Sequence, residues 1–225
     1  VSTLPSTAAQ TVTLAGEQML LLAGRALYWP AQRLLCVADL HFGKAATYRA
    51  LGQPVPSGST QDNLARLDAL IAQHRPEQLV FLGDFLHARA ALTPTVHAAL
   101  RVWRAAHPAL GLRLVRGNHD QRAGDPPADL RIDVVDEPWI LGPFALCHHP
   151  APRAGLHVLA GHIHPCFGLA GRGRQRLRLP CFWSTPELTV LPSFGAFTGG
   201  HSVTPSAHTE RIWVVHGEQI WPVAV

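Results

Sequence analysis

The chain has 225 residues, 47% hydrophobic and 15% charged, which is enough to bury the core of one compact domain. No stretch reaches the roughly 18 unbroken apolar residues of a membrane helix, and the apolar patch at 19–23 lacks the basic flank of an export signal, so a cytoplasmic protein is expected. The formal charge of +4 comes almost wholly from arginine, because Lys44 is the only lysine; mild basicity suits a polyanionic partner without requiring one.

Residues 1–17, rich in Ser, Thr and Ala, show no clear period and read as a loose lead-in to a single domain over 18–225. Short apolar runs then predict strands at 19–22, 34–38, 79–82, 112–115, 144–147 and 157–160. Ser59 or Thr60 caps a predicted helix ending near His74, with Leu64, Leu67, Leu70 and Ile71 on one face. Thr93-Pro94 opens the next, where Val96, Leu100 and Trp103 share a stripe. Alternating strands and helices predict an α/β core. After Gly142 only short strands follow, so a second, mostly antiparallel sheet is expected against the first. The cysteines, Cys36, Cys147, Cys166 and Cys181, have no zinc or redox spacing and read as reduced thiols.

Fourteen histidines are the compositional outlier, and their positions matter more than their number. Each apolar run ends in acid, amide or imidazole: Asp39 and His41; Asp84; Asn118, His119 and Asp120; His148 and His149; His162 and His164. In open α/β sheets, carboxyl ends of strands meet at one edge, where ligands bind. Two carboxylates, a carboxamide and four imidazoles form a mixed oxygen and nitrogen set suited to Mn, Fe or Zn and poorly suited to Ca. The set exceeds one open tetrahedral site but would serve two ions sharing a carboxylate and a water. In Asp-x-His or His-x-His on extended chain, both side chains face the same way. Glycine before Asp84, Asn118 and His162 suits sharp turns or close backbone approach. One block alone would more often be a turn, a cap or a structural histidine; five in order point to a site.

These blocks, Asp39-Leu-His41, Gly83-Asp84, Gly117-Asn118-His119-Asp120, His148 and Gly161-His162-Ile-His164, resemble the signature of the calcineurin-like metallophosphoesterases. The resemblance implies an α/β, four-layer αββα sandwich of two mixed β-sheets and two divalent transition-metal ions, Mn2+ first, with Fe or Zn as alternatives. It assigns Asp39, His41 and His164 to one metal, Asn118, His148 and His162 to the other, and Asp84 to both. His149 is the alternative to His148, and otherwise reads as a loop residue. His119 is left as the acid, with Asp120 as its orienting partner. "DLHFGKAATYRALGQPVP", "GDFLHAR", "LPCFW" and "LPSFGAFTGG" are similar to the DNA-ligase-associated metallophosphoesterase subgroup, described as DNA damage response endonucleases. That likeness implies phosphodiester hydrolysis in DNA and association with a ligase and helicase.

Substrate contacts are expected from Arg172, Arg174, Arg176 and Arg178, which on a strand would line one face toward successive phosphates. The alternative is a charged edge strand that resists aggregation. Lys44 and Arg49 follow the first metal block and offer further cations, or solvated surface. Two other functions stay open: a phosphoesterase for small nucleotides, and a metal-stabilised module that docks on a ligase or helicase.

Overall fold

The computed structural model describes residues 8–50, 52, 59–170, 176–196, 198–205 and 208–223. The first half builds a seven-stranded sheet in chain order: β1 (Ala9–Leu14), β2 (Glu17–Leu22), β3 (Ala26–Trp29), β4 (Leu34–Val37), β5 (Gln78–Leu82), β6 (Gly111–Val115) and β7 (Asp133–Val135). Strands β1 to β4 form an antiparallel meander. From β4 to β7 the pairing is parallel, because helical crossovers return the chain each time. These are α1 (Lys44–Ala50) and α2 (Ser59–His74) before β5, α3 (Pro94–Ala106) before β6, and α4 (Asn118–Ala123) before β7. Helix α3 starts as its sequence predicts, with Thr93 Oγ1 accepting from the Val96 amide at 3.3 Å and Pro94 at the first position.

Alternation along these strands decides the layering. Leu35, Val37, Leu79, Phe81, Leu112 and Leu114 pack with Leu64, Leu67, Val96, Leu100 and Trp103 of α2 and α3. Their neighbours Leu34, Cys36, Val80, Leu82 and Val115 turn the other way, onto Phe144, Leu146, Leu159, Phe182 and Trp213. Those last residues belong to a second sheet.

It comprises β8 (Trp139–Leu141), β9 (Phe144–Leu146), β10 (His157–Ala160), β11 (Pro165–Ala170), β12 (Arg176–Ser184), β13 (Leu188–Val190), β14 (His201–Ser202), β15 (Arg211–His216) and β16 (Gln219–Pro222). Most pairs are antiparallel, as expected, but β9, β10 and β13 run parallel side by side. That parallel patch sends the carboxyl ends of β9 and β10 to the edge shared with β4, β5 and β6. Two mixed sheets are thus stacked as expected. Among the described residues no α-helix follows Ala123, only the 3₁₀ turn Ala128–Leu130, so the outer face of the second sheet is closed by its own apolar cluster, with Leu156, Ile163 and Trp183 against it.

One expectation needs correcting at the start of the chain. The segment read as a loose lead-in carries β1, paired with β2 through Ala9↔Leu22 to Leu14↔Glu17. Val12 and Leu14 are buried between the sheets while Thr11 and Thr13 are exposed. The polarity of threonine hid a period-two pattern that its β-branched shape favours. Among the described residues, no helix is long and apolar enough to cross a membrane.

Phe182 is 0% exposed at the sheet interface, so Phe182→Ala should lower unfolding free energy by about 3–5 kcal/mol. Val102→Ser, at a position 73% exposed, should shift it by no more than about 0.5 kcal/mol. Denaturant midpoints read both. His157 at the start of β10 bonds Thr189 Oγ1 at 2.9 Å and the Pro186 carbonyl at 3.2 Å, and burial holds its pKa below the ordinary value. The unfolded chain therefore takes up this proton first as pH falls. Stability contributed here is complete above about pH 6.5 and drains away below it; His157→Gln should flatten that acid-side slope.

Candidate metal centre

Five strand ends deliver the polar blocks to one place. The chain leaves β4 into Asp39 and His41, β5 into Asp84, β6 into Asn118 at the head of α4, β9 into His148 and β10 into His162 and His164. The side chains are not presented on extended backbone, which corrects the sequence argument for the Asp-x-His and His-x-His pairs. Asp39, His41, Asp84, His162 and His164 all have positive φ, between 48° and 74°. Each such residue costs about 1–3 kcal/mol unless its surroundings enforce it. Glycine is required at Gly83, where φ is +79° and an added Cβ would meet His148 Nδ1 at 2.1 Å. At Gly161 it would meet Asp39 Oδ2 at 2.7 Å.

The ligand-type atoms gather around two neighbouring positions. On one side His164 Nε2 lies 3.4 Å from His41 Nε2 and 3.7 Å from Asp39 Oδ1. On the other, His148 Nε2 lies 2.9 Å from Asn118 Oδ1 and 3.0 Å from His162 Nδ1. Asp84 stands between, with Oδ2 3.6 Å from His41 Nε2 and Oδ1 3.5 Å from His148 Nε2. Asp39, Asp84 and His148 are almost completely buried.

Hydrogen bonds behind these groups fix where their lone pairs point. His148 Nδ1 faces the Leu82 carbonyl at 3.1 Å and His164 Nδ1 faces the Thr198 carbonyl at 3.1 Å. A nitrogen facing a carbonyl must donate, so each neutral ring turns a bare Nε2 inward. Lone pairs and carboxylate oxygens then crowd one another. Burial, then His164, Lys44 and other nearby cations, holds His41 far below the ordinary imidazole range. Burial brings His148 down to about 4 against the pull of Asp39. Burial also lowers His164, but the hydrogen bond and charge of Asp39 outweigh it and carry that ring upward. Asp84 is raised by burial, partly opposed by the His119 amide, which donates to Oδ1 at 3.0 Å. Such a set is at ease only around positive charge, and its donors fit two divalent ions of intermediate hardness.

His119 reaches the same space from α4, its Nε2 4.0 Å from Asp84 Oδ2. Its orienting partner is not Asp120. His119 Nδ1 faces the carbonyl of His87 at 2.7 Å. The Asp120 carboxylate instead accepts from the amides of Phe85 at 2.9 Å, Leu86 at 3.3 Å and Gly117 at 2.9 Å. It closes the first turn of α4 and ties that helix to the chain after β5; burial pushes its pKa up to about 6. His87 escaped the sequence reading, although it stands three residues after Asp84 in "GDFLH". Its Nδ1 has no hydrogen-bond partner among the described residues, and its ring stacks on His119 at 5.2 Å. Of the two neighbours His148 is the buried one, 0% exposed, while His149 is 41% exposed and pairs with Glu137 Oε1 at 2.6 Å, although its ring also stands close to His148 and His162. Glu137 also accepts from both backbone amides there, a role no local motif announced.

The predicted basic contacts separate. Lys44 is half-buried beside the centre, close enough to Asp84, His41, His87 and His164 to shift or share their charge. Arg49 is exposed at the end of α1. Arg172 and Arg174 lie outside the described residues. Arg176 and Arg178 are exposed on β12, and Arg178 donates to the Gly200 carbonyl.

A sixth strand end, that of β13, braces the ligands from behind. Ser193 Oγ and the Gly195 amide donate to the Asp39 carbonyl at 2.8 and 3.1 Å, and Thr198 supplies the carbonyl that orients His164. Two arginines hold this loop: Arg25 Nη1 donates to Ser193 O at 3.3 Å. Arg66 donates to Phe194 O and stacks over the Phe194 ring at 4.1 Å. Arg66→Met should therefore weaken one of two bound metals by about 10-fold, a usual cost of losing outer support, and leave the Asn118 side unchanged. Calorimetric metal titration separates the two steps; equal loss at both would refute the assignment.

No curated protein matches this chain. It is similar to the crystal structure of Pseudomonas putida nuclease MPE, with 50% identity over 96% of this chain and 100% of that one, and a TM-score of 0.85. Yfce, a phosphoesterase from E. coli, matches at 19% identity over 80% of this chain and 86% of its own, with a TM-score of 0.39. The family model for calcineurin-like phosphoesterase matches residues 32–221, spanning every candidate ligand described above. The chain belongs to the calcineurin-like phosphoesterases.

Proposed function

We propose that this metal-dependent phosphoesterase is a nuclease that hydrolyses phosphodiester bonds in DNA. The observation that carries the reading is the shared carboxylate: Asp84 turns one oxygen to each ligand set, and His119 faces it from 4.0 Å. Two divalent cations, Mn2+ before Fe or Zn, would supply an activated water and neutralise the phosphoryl oxygens. Asp39, His41 and His164 would hold one, Asn118, His148 and His162 the other, with Asp84 common to both. With Nδ1 committed to the His87 carbonyl, His119 has Nε2 free to carry a proton to the departing oxygen. That transfer is worth about 10²–10⁴ in rate. Asp120 serves by holding α4, and with it Asn118 and His119, against the chain that bears Asp84. The nucleic-acid part of the proposal draws on the similarity to the Pseudomonas putida nuclease. The repair setting beside a ligase and helicase rests on the subgroup resemblance.

Purified protein, stripped by chelator and resupplied with Mn2+, should cleave both bis-(p-nitrophenyl) phosphate and labelled single-stranded DNA, and Asp84→Ala should abolish both. Hydrolysis of the small ester alone would overturn the DNA assignment. His119→Ala should keep its metal while turnover on poor leaving groups falls about 10²–10⁴-fold; metal content falling with activity would remove His119 from the acid role.

A further inference from the structure

The one lysine of this chain stands at the metal centre, while every other strongly basic side chain is an arginine. Lys44 opens α1, three residues after His41. Tyr48 follows one helical turn on, so both side chains share a face of that helix. Lys44 Nζ lies 5.8 Å from the centre of the Tyr48 ring. The Tyr48 ring is 5.9 Å from that of His87, tilted by 40°. His87 in turn stacks on His119, 23° from parallel. An ammonium, a phenol and two imidazoles thus form one continuous wall ending at the proposed acid. All four side chains are half-buried, which leaves part of each face open. Among the described residues the buried Nδ1 of His87 has no hydrogen-bond partner, and the ring packs against its aromatic neighbours.

A run of rings, tilted between Tyr48 and His87 and near-parallel between His87 and His119, with an ammonium at its end offers ring edges and partly open faces to the base and sugar of a nucleotide while a phosphate meets the cation. The wall adjoins His119, the group assigned to the departing oxygen, so it lies on the leaving side of the scissile bond. We propose that Lys44, Tyr48 and His87 bind the departing nucleotide, with Tyr48 and His87 against its base and sugar and Lys44 on the phosphate beyond it. This rests on the nuclease reading and adds to it a subsite that small esters cannot fill. Helix α1 thereby selects polynucleotides.

With one lysine, an amine-acylating reagent labels Lys44 and the N-terminal amine alone, and peptide mass spectrometry separates the two. A phosphorothioate-linked single-stranded oligonucleotide should protect Lys44, whereas inorganic phosphate at equal phosphorus concentration should not. In steady state, Lys44→Ala should raise KM for an oligonucleotide by about 10-fold and reduce the slope of log KM against log salt by about one. Its KM for bis-(p-nitrophenyl) phosphate, which carries no second phosphate, should rise several-fold less than that for the oligonucleotide. Tyr48→Ala should raise oligonucleotide KM by about 10-fold, through lost stacking, without changing the salt slope. Equal labelling with and without oligonucleotide overturns the proposal, and so does a Lys44→Ala defect as large on the small ester as on DNA. If wild-type protein cleaves the ester but no oligonucleotide, the nuclease reading falls and the subsite with it. If it cleaves DNA with Lys44 indifferent, only the subsite falls.

Discussion

Where the two sheets meet, two buried carboxylates and the lone pairs of four imidazoles face one another, with Lys44 close enough to feel the charge of Asp84. The repulsion among these groups organises the surrounding structure. Backbone amides are aimed into both acids: that of His162 donates to Asp39 at 2.9 Å and that of His119 to Asp84 at 3.0 Å. Carbonyls hold the outward nitrogens of His148, His164 and His119, so their other nitrogens have no choice of direction. Such hydrogen bonds offset only part of the cost of gathering anions and lone pairs in a dry place. Bound metal ions would supply the positive charge that remains to be found.

The sheets exist in this arrangement to keep that cluster together. Parallel pairing from β4 to β6 and again across β9 and β10 is what brings five carboxyl ends to one edge. An all-antiparallel second sheet would have sent His148 and His162 to opposite ends. The β13 loop then adds a support made of contacts distant in sequence, with Arg66 reaching Phe194 across 128 residues and Arg25 reaching Ser193 across 168.

The convergence of these polar blocks was legible in the sequence because each candidate ligand sits within a few residues of an apolar strand. Asp39 after LLCVA and His162 after VLAG are local signals, and their convergence follows from a general rule of parallel sheets. What escaped was long-range or backbone-borne. Nothing around Asp120 shows that its oxygens serve amides of Phe85 and Leu86 rather than the ring next to it. Glu137 holds His149 and the amide of His148 from eleven residues upstream, without a motif. His87 carried a faint signal, its spacing from Asp84, which only the folded turn makes meaningful. The alternation around Val12 was readable and was hidden by threonine. The paired arginines at 176 and 178 were placed on a strand correctly, but their reach toward a substrate does not follow from strand geometry.

The five left-handed ligand residues have a consequence beyond chemistry. A chain without metal must hold Asp39, His41, Asp84, His162 and His164 in costly backbone conformations while their side chains repel. Filling the centre relieves the second burden and so stabilises the first, making ion capture part of the folding free energy. In a cell short of the ion, the empty protein would open more often at this edge and meet proteases there. Its abundance would then follow the supply of metal, so that copies unable to act are also the copies removed.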